Sequence, residues 1–149
     1  MKKTPLQTPI KVWYKTHGDP KILWPILDIK LEHNGISFPQ PLRSLVDSGA
    51  SHSILHPVIA EALGFDLKKL GTPKSGGVSV SGNYASWILP KSIDVDIYGH
   101  TFSFKFTVID NPQLIWGCIL GEDTIFQVAR LDFSKFKGYF EVRFRADVN

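Results

Sequence analysis

The sequence predicts a mainly β fold: a closed barrel of short strands with one or two small helices. Three observations predict it. Apolar and polar residues alternate through "ILWPILDIKLEHNGISF" and "SIDVDIYGHTFSFKFTVID", the period-two pattern of half-buried strands. Turn dipeptides, Asn34-Gly35 and Tyr98-Gly99, interrupt these runs where antiparallel neighbours need a tight connection. Only two stretches space their apolar residues at helical intervals, and both are short.

In chain order, residues 1–20, with Pro5, Pro9, Gly18 and Pro20, read as an N-terminal arm or an irregular edge strand, and residues 21–149 as the domain proper. The "HNG" turn closes a first hairpin. "PLRSLVDSGA" is a strand running into a loop of small residues. "SILHPVIAEALGF" places Ile54, Val58, Ile59 and Leu63 at helical spacing, with Pro57 in the first turn and Gly64 as C-cap. "GTPKSGGVSVSGNYASWILP" alternates through Val78 and Val80 and reads as a hairpin tipped by Gly82-Asn83. The run around Tyr98-Gly99-His100 gives two further strands. "LIWGCILG" is almost unbroken apolar sequence, expected to be buried on both faces. "EDTIFQVARLDF" reads as a short helix with acids in its first turn and Arg130 near its end, as the helix dipole favours. "GYFEVRF" closes the chain with a strand, and no segment repeats at solenoid or propeller length.

Composition narrows the function classes. A chain of 149 residues, 43% hydrophobic and 21% charged, is one ordinary globular domain. A net charge of +3 with scattered lysines lacks the basic cluster that nucleic-acid binding needs. His17, His33, His52, His56 and His100 show no metal-ligand spacing with acids or cysteine, so neither a metal nor another cofactor is expected. Gly76-Gly77 is followed by no Lys-Ser/Thr at phosphate-loop spacing. Cys118 is the single cysteine. It can form no internal disulfide, and in its apolar run it reads as a small buried hydrophobe rather than a nucleophile. No apolar stretch is long enough to span a bilayer. The basic N-terminus leads into no apolar block or small-residue cleavage site, so no signal peptide is expected and the location is expected to be cytoplasmic.

The chemistry concentrates at Asp47, delivered by a strand end into Ser48-Gly49-Ala50-Ser51. Taken alone this is equally a strand-to-helix cap, because Asp and Ser satisfy orphan helix N–H groups. Its company is more specific. A glycine-tipped hairpin follows, and then the triplet Ile119-Leu120-Gly121 opens a short helix. This ordered set, with "DSGAS" and "ILGEDTI" its most distinctive parts, resembles the retropepsins, the retroviral and retroviral-like aspartic proteases. The resemblance implies an acid-protease barrel with one lobe per chain. It implies Asp47 as the catalytic carboxylate and Ser48, Gly49, Ala50 and Ser51 as its supporting loop, Ser48 bracing the loop across a dimer. It further implies Val80, Gly82 and Tyr84 on a flap, His52, Ile54, Trp116 and Ile119 flanking the substrate, and Leu120 and Gly121 packing beside the loop.

Aspartic proteolysis needs two carboxylates close enough to share a proton, so that one acts as base while the other acts as acid. This chain has a single such loop. Asp94-Val95-Asp96 and Asp132-Phe133-Ser134 lack the small-residue turn and read as strand or surface acids. A working pair therefore needs Asp47 from two chains, which makes a homodimer part of the expected mechanism, acting on a peptide or protein substrate. Two departures from the retroviral pattern go together. Ser51 stands where an aspartate is usual and Glu122 where an arginine is usual, so both halves of an ion pair are missing, and Asp123 reads as a helix cap. Two other functions compete with an endopeptidase: a catalytically inactive peptide-binding or scaffolding dimer with the same fold, and a nucleic-acid-binding β-barrel, which the lack of a basic-aromatic stripe disfavours.

Overall fold

The computed structural model of the chain describes residues 5–79 and 82–148. Its strands and helices follow in order: β1 (Ile10–Trp13), β2 (Lys15–His17), β3 (Asp19–Trp24), β4 (Ile26–His33), β5 (Ile36–Ser37), β6 (Leu42–Val46), β7 (Ile54–Leu55), α1 (Pro57–Ala62), β8 (Lys74–Ser79), β9 (Gly82–Ile88), β10 (Ile93–Ile97), β11 (His100–Phe104), β12 (Thr107–Asp110), β13 (Cys118–Leu120), α2 (Ile125–Val128), β14 (Ala129–Ser134) and β15 (Tyr139–Phe144). The fold is mainly β with two short α-helices, as the alternation predicts.

Alternation fixes which face each strand buries. Leu27, Ile29 and Leu31 of β4, Ile93, Val95 and Ile97 of β10, and Phe102 and Phe104 of β11 are all buried and share one core. The tight turns use the left-handed backbone that the sequence signals. Asn34 and Gly35 have φ of 47° and 78°, and Tyr98 and Gly99 have 49° and 85°, consecutive positive values that match the twist of antiparallel neighbours. At the second turn Asp96 Oδ1 accepts from the Gly99 N–H at 3.2 Å, a structural task for an acid expected to lie on a strand.

The expected closed barrel is not formed. Nine strands run in the order β11-β10-β4-β6-β13-β7-β12-β9-β8, with β5 added on β4, and the two end strands do not pair with each other. At the β11 edge side chains take the place of a ladder. A separate sheet, β1-β15-β14, sets the Phe144 ring 4.5 Å from His100 and 5.4 Å from Phe102. These rings join the separate sheet to β11 through side-chain packing rather than through a backbone ladder.

Three boundaries differ from expectation. Ile54 belongs to β7, so α1 starts only at Pro57, where the His56 Nδ1 caps it by accepting from the Val58 N–H at 3.1 Å. Gly64, with φ +94°, ends it as expected. The second helix stops at Val128, and "ARLDFS" is instead β14, paired with β15 from Ala129↔Phe144 to Ser134↔Tyr139. The run after Tyr98-Gly99 holds β11 and then a further strand, β12. In the N-terminal segment, β1 pairs antiparallel with β15 from Ile10↔Val142 to Trp13↔Tyr139, and β2 and β3 form a hairpin.

Candidate active site

The loop after β6 is held by the short central strand β13. Val46 pairs with Leu120 in parallel, and on the other side of β13 Ile54 pairs antiparallel with Ile119. Residues 47–53 must therefore arch over the end of β13. Backbone bonds pin the arch at both ends: the Asp47 N–H donates to Leu120 O at 2.9 Å, and the Glu122 N–H donates to Ala50 O at 2.8 Å. Gly121 makes this approach possible, since a Cβ there would lie 2.3 Å from Ala50 O, far inside contact distance. This close fit is why an apolar pair followed by glycine is needed beside the loop.

Within the arch the carboxylate of Asp47 is half buried. Its Oδ1 accepts from the Gly49 N–H at 2.8 Å, and a Cβ on Gly49 would sit 3.2 Å from the same oxygen. A glycine two residues on thus lets the backbone orient the acid without crowding it. The arrangement presents one oxygen fixed by a main-chain donor, as a carboxylate needs if it is to accept or donate a proton in a set direction.

Beneath the loop lies a polar cluster that sequence reasoning missed. Ser53 is fully buried and Thr124 nearly so. The Ser53 hydroxyl donates to Asp123 Oδ1 at 2.6 Å, accepts from the Gly121 N–H at 2.9 Å, and lies 2.7 Å from the Thr124 hydroxyl. The Ser53 N–H also donates to Asp123 Oδ1, at 2.8 Å. Asp123 therefore does not cap α2, whose N-cap Thr124 makes no side-chain capping bond. It ties the exit of the arch to the start of the helix. The available signal was an acid directly after "ILGE" and a second serine in "SHS", but nothing local links residues 70 positions apart.

A cleft of about 280 Å³ opens beside the arch, lined by residues 49–52 together with Ile54, Tyr84, Ser86, Thr107 and Ile109. It brings together Gly49, Ala50, Ser51, His52, Ile54 and Tyr84 from the expected set. Ser86, Thr107 and Ile109 join them because β12 pairs with both β7 and β9, a register the sequence does not display. The β8–β9 hairpin stands at one wall, with Ser79 opposite Gly82 and Gly77 opposite Tyr84. Val80 lies outside the described residues. Trp116 is placed elsewhere: only 6% exposed, its ring stacks on His17 with centroids 4.1 Å apart and meets Trp24 edge-on at 5.6 Å. Ile119 sits within the ladder between Leu45 and Ile54 and Leu120 is buried beneath the arch, while Ser48 is exposed next to Asp47. His52 Nδ1 lies 3.8 Å from Asp123 Oδ2. Among the described residues no group of three or more His, Cys, Asp or Glu side chains could hold a metal ion, and no helix is long and apolar enough to cross a membrane.

Comparisons agree with this geometry. A family model described as aspartyl protease matches residues 29–124, which takes in the arch, the hairpin and β13. No curated protein matches the chain. Among solved structures, a retropepsin-like aspartic protease from Rickettsia conorii superposes with a TM-score of 0.64 at 20% identity, over 91% of this chain and 98% of its own. The retroviral protease-like domain of Ddi1 from Leishmania major superposes with a TM-score of 0.51 at 21% identity, over 71% of this chain and 80% of its own. At such identities the likeness is one of fold.

Proposed function

The chain belongs to the aspartyl protease family and has a retropepsin-like fold, and on that premise we propose that it is a homodimeric aspartic endopeptidase cleaving extended peptides. The observation that carries the proposal is the Asp47 carboxylate, oriented by the Gly49 N–H beside an open cleft in a chain with one such loop.

In the proposed dimer the two Asp47 carboxylates meet across a two-fold axis and hold one proton between them, because like charges so close do not both ionise. The ionised Asp47 takes a proton from a water molecule, which attacks the scissile carbonyl carbon, while the protonated Asp47 donates to the carbonyl oxygen. The resulting tetrahedral species collapses as the C–N bond breaks. The amine leaves with a proton returned through the same pair, so no group beyond the two carboxyls has to act as acid or base. Ser48 braces the two loops across the axis. The β8–β9 hairpin, with Val80, Gly82 and Tyr84, serves as a flap that excludes water. His52 and Ile54, which line the cleft, are assigned to substrate contacts, whereas Trp116 and Ile119 serve the packing and the ladder described above. A single buried cysteine, unable to form an internal disulfide, supports a cytoplasmic setting.

The test is cleavage of a peptide library by the purified protein across pH, with Asp47→Asn alongside. A shared proton gives a bell-shaped rate with its maximum on the acid side of neutrality and no activity in the variant. A rate still rising past about pH 9, far above any carboxyl range, would exclude the dyad. Peptide binding with no cleavage at any pH would instead support the inactive peptide-binding dimer.

A further inference from the structure

We infer that the cleft continues outward into a subsite for an acidic side chain of the substrate, with Lys105 as its cation; this rests on the proteolytic reading of the same site. A second groove, of about 400 Å³, shares His52, Ser86 and Thr107 with the cleft beside Asp47 and adds Ile88, Lys105, Phe106 and Asp123. The two grooves adjoin at these shared residues, and Ser86 and Ile88 place the second beside the far end of β9.

The charges along these grooves are unequally answered. Asp123 is engaged: its Oδ1 accepts from the Ser53 N–H and hydroxyl at 2.8 and 2.6 Å, and its Oδ2 faces His52 Nδ1 at 3.8 Å. Lys105 is exposed and has no carboxylate partner among the described ion pairs. It lies on the link between β11 and β12 and lines the groove together with Ile88, which is 61% exposed, and the buried Phe106. The groove thus offers an apolar wall and, in Lys105, an ammonium with no ion-pair partner among the described residues. A glutamate side chain satisfies both, laying its methylenes along Ile88 and its carboxylate against Lys105. A glutamine loses the charge, and a lysine meets a like charge.

The experiment takes one peptide, selected from a library by cleavage or, where none is cleaved, by binding. Glu, Gln or Lys is placed at each of several positions on both sides of the scissile or central bond. Values of kcat/KM are measured on the wild type and Kd values for the labelled peptides on Asp47→Asn. At one position Glu is expected to be favoured over Gln by about two- to fivefold, the strength of an exposed ion pair, with Lys worst. Lys105→Gln should erase the Glu–Gln difference and Lys105→Glu should turn the preference towards Lys. A set with no position favouring Glu, or a Glu preference that survives Lys105→Gln, overturns the subsite. Cleavage without the preference removes the subsite and leaves the protease. A Lys105-dependent Glu preference in binding with no cleavage keeps the subsite and removes the protease. Peptides neither bound nor cleaved remove both.

Discussion

The Ser53 hydroxyl carries more of the site than any residue of the arch except Asp47 itself, although it never faces the cleft. It is fully buried and serves Gly121, Asp123 and Thr124 at once. Ser53→Ala leaves the buried Gly121 N–H without its acceptor and removes the hydroxyl donor of Asp123, which keeps the Ser53 N–H, a cost of about 1–3 kcal/mol. Ser51→Ala, at an exposed position of the same arch, should stay within about 0.5 kcal/mol of wild type. Urea midpoints of the two variants measure the contrast, and equal midpoints would mean that the cluster contributes nothing. Cys118 gives a prediction of another kind. Burial pushes its thiol from an ordinary 9.0 up to about 12, so the folded protein should resist iodoacetamide and react only when unfolded. The same shift sets a sign for stability. The unfolded chain releases this proton near pH 9 and the folded chain only near pH 12. The contribution is therefore complete below pH 9 and lost as pH rises towards 12, which denaturant titrations across that window would show.

At the scale of elements, the proposed flap makes the β8–β9 hairpin the part on which closure of the cleft would depend. Gly82 opens β9 directly opposite Ser79, so in the proposed flap a branched side chain there meets either the substrate or the facing hairpin. Gly82→Val should lower turnover by more than tenfold while moving the thermal midpoint little, because in the proposed flap the change acts on closure over substrate rather than on the core. Unchanged kinetics would move the flap elsewhere in the chain. The same scale shows what the sequence discloses and what it hides. Hairpins were legible because alternation and the Asn34-Gly35 and Tyr98-Gly99 turns are local signals. The step from α2 into β14 was not, since Ile125, Phe126, Val128, Ala129, Leu131 and Phe133 satisfy a helical and an alternating pattern together, and six pairings with β15 decide between them. The open edge at β11 was equally hidden, because it depends on Phe144 rings reaching His100 and Phe102 from the far end of the chain. Asp47 stood out through its loop chemistry. Its buttress did not, because Ser53 and Asp123 meet only after β13 has threaded between them.

For the whole molecule, the count of one Asp-Ser-Gly loop per chain turns the proposed mechanism into a statement about mixtures. If each site takes one Asp47 from each of two chains, Asp47→Asn is inactive alone and also inactivates any wild-type chain it pairs with. The mixed dimer holds one carboxylate and one amide. The amide cannot take up the proton, and the remaining carboxylate cannot be acid and base in the same step. Asparagine is nearly the same shape and removes the repulsion between two acids, so the variant should fold and dimerise. With equal amounts and free exchange of symmetric protomers, about a quarter of the dimers are wild type in both halves. These hold about half of the wild-type chains, so activity per wild-type chain should fall to about half when dimerisation is saturated. A titration of wild-type protein with the variant, followed by peptide cleavage after subunit exchange, reads this directly. Activity per wild-type chain that stays constant through the titration would mean that one chain suffices, and the shared pair of carboxyls would have to be abandoned. Activity per wild-type chain that falls in direct proportion to the wild-type fraction of all chains, in a curve that flattens as more variant is added, is the signature of a site built from two chains.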